Sequence, residues 1–121
     1  MSVRELKKKP RELAHFTQEN YRWLELHHND LPYGYSAIRE HEDALELHVS
    51  LIRWGPQIRR NIHGDVHWLK EESRRLGKKR ITGIRISHAE GLNPNLFRFA
   101  RIYGFTDQCV LQTMSMDVDP T

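Results

Sequence analysis

Cysteine is nearly missing from these 121 residues: Cys109 stands alone, which excludes an internal disulfide and agrees with a reducing compartment. No apolar run approaches the roughly 20 residues of a membrane span. The opening SVRELKKKPREL lacks the apolar core of a secretory signal. These absences give the expectation of a cytoplasmic protein without a membrane partner. Linkers, internal repeats and low-complexity segments are missing too, so residues 1–121 are expected to form one domain with a single core. Metal-ligand spacing is also scarce. His63-Gly64-Asp65-Val66-His67 sets two imidazoles one helical turn apart, but Gly64 stands where a zincin motif needs Glu. No second pair has ligand spacing, and no metal site is expected.

Charge is plentiful and mixed. Nineteen Lys and Arg against sixteen Asp and Glu leave a net charge of +3. Two basic clusters stand out, Lys7-Lys8-Lys9-Pro10-Arg11 and the run Arg74, Arg75, Lys78, Lys79, Arg80. Such clusters can meet nucleic acid, phosphate groups or an acidic protein surface. A solvated face is the plainer reading, because no aromatic interleaving or nucleic-acid motif accompanies them.

Periodicity then supplies the elements. Val3 to Lys7 suits a short strand. Leu13, Phe16, Tyr21, Leu24 and His27 or His28 recur at helical intervals, which predicts a helix from Pro10 to about His27. Asn29 to Gly34 is rich in turn formers, and Tyr35 to Glu40 reads as a strand. His41-Glu42-Asp43 makes a hairpin turn into Ala44–Ile52, where Leu45, Leu47, Val49 and Leu51 alternate with Glu46, His48 and Ser50. Gly55-Pro56 breaks that pattern. A long helix to about Leu76 carries Ile58, Ile62, Val66, Leu69 and Ser73 on one stripe. Gly64 inside it suggests close packing or a kink. Gly77 stops the helix, and Ile81, Ile84 and Ile86 suit a strand. Asn93-Pro94 starts a second helix that Gly104 ends, before a last strand from Val110. Trp54, beside Gly55-Pro56, sits at a loop tip where an exposed ring would mark a binding surface.

The separation of Leu76-Gly77, Asn93 and Gly104-Phe105 resembles the C-terminal half of the GNAT (GCN5-related N-acetyltransferase) fold. Val3-Arg4-Glu5-Leu6 and the run after it resemble that fold's first strand and helix. The resemblance implies an α/β (α+β) architecture: a mixed, mainly antiparallel sheet flanked by about three helices, with a shortened N-terminal half.

In that family the loop after the fourth strand cradles the pyrophosphate of acetyl-CoA with backbone N–H groups, and glycines allow the close approach. The corresponding segment here runs from Ile52 to Arg60 and keeps only Gly55. Gln57 and Arg59 fall at the glycine places, and Pro56 removes a donor. The candidate cofactor contacts are therefore Arg53, Gly55, Gln57, Arg59, Arg60 and Asn93, with side-chain arginines replacing part of the cradle. Ala100 occupies the place of the family's proton-donating Tyr, with Tyr103 close by in sequence. Glu46 and His48, on the polar face of a strand, are the candidate bases.

A degraded loop and a missing acid point to a non-catalytic structural or interaction component, with no cofactor. Short, glycine-poor GNAT-like proteins of tailed phages, some of them virion or assembly parts, resemble this chain. Protein partners or a homo-oligomer would then be expected, in a host cytoplasm or a virion. The alternatives are an acetyl-CoA-dependent N-acetyltransferase with divergent contacts and a small basic nucleic-acid adaptor.

Overall fold

Asn29 (φ 50°) and Asp30 (φ 64°) turn the chain back between His28 and Leu31, a two-residue connection with both central residues left-handed, as a type I′ hairpin requires. This computed structural model describes residues 3–14, 16, 20–84, 94–106 and 116. Its strands are β1 (Val3–Leu6), β2 (Arg22–His28), β3 (Leu31–Glu40), β4 (Ala44–Leu51) and β5 (Arg80–Gly83). Its helices are α1 (Pro56–Arg75) and α2 (Pro94–Ile102), with a 3-10 turn at Arg11–Leu13. Because a β-branched residue tolerates positive φ worst, Asn29→Val should lower stability by about 1–2 kcal/mol, read as a shift in the urea midpoint.

The sheet order is β1-β2-β3-β4-β5, antiparallel except for the parallel β4–β5 pair that α1 connects. This is the mixed, mainly antiparallel α+β architecture expected. Ile38 lies opposite Leu47 and Ser36 opposite Leu24, so these residues share one face with Leu26 and Leu45. All are buried, and Ile62 and Leu69 of α1 complete that core. The opposite face carries Trp23, Tyr35, Ala37, Arg39, Glu46 and His48.

The expected helix from Pro10 to His27 is corrected. Among the described residues that stretch holds only the 3-10 turn, and β2 fills its second half. Leu24 and Leu26 are buried while Trp23, Glu25 and His27 are half-buried, a period of two that happened to overlap a helical spacing. Asn20, with φ 74°, also interrupts any helix before β2. β3 starts earlier than expected, at Leu31, because a register shift between Leu26 and His27 accommodates Pro32.

Both α-helices end as the glycines demand. Gly77 (φ 74°) and Gly104 (φ 100°) are left-handed, and the bonds Lys78 N–H to Ser73 O and Phe105 N–H to Ala100 O close Schellman motifs. The buried stripe of α1 keeps Ile62, Leu69 and Ser73 but adds Asp65 and Glu72, while Ile58 and Val66 are only half-buried. The two carboxylates are tolerated because Tyr33 Oη donates to Asp65 and Arg22 Nη2 donates to Glu72 at 2.5 Å. Gly64 is not explained by close packing, since a Cβ there would meet nothing within 4 Å.

By contacts the chain divides into Met1–Ile86 and Ser87–Thr121. In the second unit Tyr103, just after α2, is buried, and its ring lies 5.0 Å from that of Phe99. Cys109, Asn93, Ile86 and the expected last strand from Val110 fall outside the described residues. No helix among the described residues is long and apolar enough to cross a membrane.

Candidate functional site

Glu46 is 3% exposed and receives four different side chains. Tyr21 Oη donates to Oε2 at 2.7 Å, and Arg39 Nη2 donates to Oε1 at 2.9 Å. His41 Nε2 lies 2.5 Å from Oε1 and His48 Nε2 lies 2.5 Å from Oε2. Burial alone would raise the Glu46 carboxyl, but the hydrogen bonds from Tyr21, His41, His48 and Arg39 outweigh it and hold the group at about 2. Burial, and then the bond to Glu46, push the Tyr21 phenol up, so it remains a donor at neutral pH.

Local sequence explains the convergence. The three-residue turn 41–43 fixes a register in which Arg39 faces Glu46 across the ladder, and alternation puts His48 on the same side. Arg39 also stacks 4.7 Å from the Tyr21 ring centre. Phe16 lies edge-on to His48 at 4.9 Å and to Tyr21 at 5.3 Å, closing apolar walls around the imidazole. In its neutral form His48 must donate from Nε2 to the carboxylate, which leaves Nδ1 as the basic nitrogen. Among the described residues Nδ1 has no hydrogen-bond partner.

β4 and β5 pair from Ala44 and Arg80 to Leu47 and Gly83, and the last bond runs from Ile84 N–H to Leu47 O at 3.0 Å. Beyond it nothing among the described residues pairs the outer edge of β4. Backbone direction alternates along a strand, so the N–H and C=O of Val49 point to this outer edge. Val49, Leu51, Ile52, Trp54 and Ile84 are all exposed around it. His48 is the first β4 residue past the last pair.

The chain then enters α1 through Gly55, whose φ of 153° favours glycine and which has no side-chain cap. Arg59 N–H bonds Gly55 O at 3.0 Å and Pro56 has no N–H, so Gln57 and Ile58 keep the free N–H groups of the first turn. The structure thus brings Gly55 and Gln57 to one helix N-terminus. Arg53 turns away, with Nε on the Pro32 carbonyl at 3.1 Å, and Arg60 Nη2 is held by Gln57 Oε1 at 3.0 Å. Arg59 is exposed on the same turn. Trp54, more than half exposed, stands at the loop tip as expected.

The structure brings the candidate bases Glu46 and His48 together, and adds Tyr21, Arg39 and His41, which the sequence did not point to. Hairpin register would have shown Arg39; Tyr21 was hidden by the mistaken helix. His63 and His67 are exposed on α1, and among the described residues no three ligand-type side chains converge for a metal. In the second basic cluster Arg74 pairs with Glu71, Arg75 with Glu72, Lys78 with Glu40 and Arg80 with Asp43.

Solved structures share this fold, among them two acetyltransferases. The aminoglycoside N-acetyltransferase AAC(6')-Iy, in complex with CoA, matches with a TM-score of 0.63 and 12% identity, over 95% of this chain and 99% of that one. A candidate acetyl transferase from Pyrococcus furiosus matches with a TM-score of 0.57 and 13% identity, over 83% of this chain and 68% of that one. No family model and no curated protein matches the sequence. The likeness defines the class of structure: a GNAT fold, shortened between β1 and β2.

Proposed function

We propose that this chain holds an acyl-CoA, acetyl-CoA first, in the notch beside β4 and transfers the acyl group to an amine with His48 as base. The observation that carries this reading is the place of His48, at the mouth of the notch with its ring oriented by a buried carboxylate. Gln57 and Ile58 N–H groups would meet the pyrophosphate, with Arg59 adding side-chain charge. Val49 would offer its backbone to the pantetheine amides. The amine nitrogen attacks the thioester carbon and the C–S bond breaks. Nδ1 of His48 takes the amine proton and returns it to the departing thiolate, which compensates for Ala100. Glu46, with both oxygens occupied by donors, serves to position that ring.

Calorimetric titration should give micromolar binding of acetyl-CoA and CoA. His48→Gln should lower kcat about 100-fold or more with an amine acceptor while leaving acetyl-CoA affinity unchanged. An unchanged kcat would remove His48 from the mechanism.

A second reading has its own support. Pro56 and the side chains at Gln57 and Arg59 leave a thin phosphate cradle, and Ala100 cannot transfer a proton. These favour a non-catalytic structural or interaction component, of the virion or assembly type. A folded sample that gives no heat with acetyl-CoA or CoA would favour it over the enzyme. The ion pairs at Arg74, Arg75, Lys78 and Arg80 leave the nucleic-acid adaptor resting mainly on Lys7, Lys8 and Lys9.

A further inference from the structure

We propose a second binding site, independent of the acyl-CoA reading: a hollow of about 490 Å³ beside the β2–β3 turn and the middle of α1, suited to a phosphate monoester. His27, His28, Asn29 and Asp30 line one side, and Arg60, Asn61 and Gly64 line the other.

Three observations converge on it. The first is Gly64, in the interior of a 20-residue helix where glycine weakens the helix relative to Ala. A Cβ at this position would meet nothing within 4 Å, and its backbone is helical. Neither packing nor conformation therefore requires glycine, and its remaining effect is to keep this wall low. The second is Asn61. Its Oδ1 accepts from Gln57 Nε2 at 3.0 Å, but its Nδ2 is buried without an acceptor among the described residues. An orphaned amide donor is unfavourable until something accepts from it, and a small side-chain rotation would present it to a ligand oxygen.

The third is the chemistry of the wall. Arg60 has N–H groups beyond the Nη2 that Gln57 holds, and His27 and His28 line the side formed by the strand end. His28 Nε2 lies 3.4 Å from Asn29 Nδ2. The one acid, Asp30, is occupied by Arg4 Nη2 at 3.2 Å. Donors thus come from a strand, a turn and a helix, which suits a tetrahedral oxyanion better than a flat carboxylate. The volume leaves room for an organic group beyond the phosphate.

The test is an amide-resolved NMR titration of the whole chain with inorganic phosphate at low salt. Saturable shifts at residues 27–30 and 60–64 are expected. Gly64→Leu, which fills the hollow, should weaken phosphate by about tenfold or more, and Asn61→Leu should weaken it as well. Gly64→Ala should be more resistant to urea than the parent, which shows that glycine is not kept for stability. Absent shifts, or shifts that Gly64→Leu leaves unchanged, would overturn the site. Parallel titrations distinguish the source of the phosphate. Shifts with CoA that vanish with CoA lacking its 3′-phosphate would assign it to the cofactor. Shifts with ribose 5-phosphate and none with either form of CoA would assign it to a separate phosphorylated metabolite. Because inorganic phosphate is read directly, failure of CoA binding at the notch leaves this test intact.

Discussion

Replacing Glu46 with Gln is expected to destabilise the fold by about 3 kcal/mol, measured from urea unfolding with an unchanged m-value. A glutamine is nearly the same size, so the loss is electrostatic. Its carbonyl can serve one pair of donors, but its NH2 must then face the other pair. If the carbonyl takes the place of Oε1, Tyr21 and His48 meet a donor; if it takes Oε2, Arg39 and His41 do. Arg39 also loses the anion that holds it against the Tyr21 ring. The charge-assisted bonds and the buried position place this well above an exposed ion pair, which contributes about 0–1 kcal/mol. A change below about 1 kcal/mol would mean that the four donors find water as readily as they find Glu46.

Acid should unfold the protein in the range set by two carboxylates. Glu72 is held at about 2, chiefly by hydrogen bonds from Arg75 and Arg22 working against burial, and Glu46 is held at about 2 as well. Both values lie below the ordinary glutamate value of about 4.3. A depressed folded value means that the unfolded chain binds more protons, so these groups stabilise the fold above about pH 4.3 and the gain disappears as pH falls toward 2. Together they should contribute about 4 kcal/mol, after a discount for the solvent around Arg75. Urea midpoints measured between about pH 5 and pH 2 would show the decline, with a shallower slope in Glu72→Gln. A flat profile across that interval would contradict the ion-pair geometry at both sites.

Much of the second half of this fold was legible in its sequence, for physical reasons. The period-2 run around Leu45–Leu51 and the glycines at 77 and 104 left few alternatives: β4, α1 and α2 stand where they were expected, and β5 covers Arg80–Gly83, stopping short of the expected Ile84. β2 was missed because Leu24 and His27 also fit a helical stripe once Phe16 and Tyr21 are included. In that segment the deciding information was nonlocal: ladder partners on β1 and β3. The candidate site was half legible for the same reason. Alternation alone shows that Glu46 and His48 share a face. Which side chains meet them depends on the register of β3 and on the return of Tyr21, just ahead of β2 and 25 residues away in sequence. The buried carboxylates of α1 were likewise invisible, because a polar residue on an apolar stripe is recognised only when its partner is known.

The tip of the β3–β4 hairpin and the exit of α1 are tied together by several bonds. Lys79 and Arg80 donate backbone N–H groups to the Asp43 carbonyl, Lys78 Nζ reaches the His41 carbonyl, and Arg80 pairs with Asp43. The other end of β4, at Val49–Leu51, lacks any such tie to β5 among the described residues. The parallel pair is therefore pinned where the turn 41–43 meets the exit of α1, and the register that sets Glu46 opposite Arg39 is anchored at the hairpin tip.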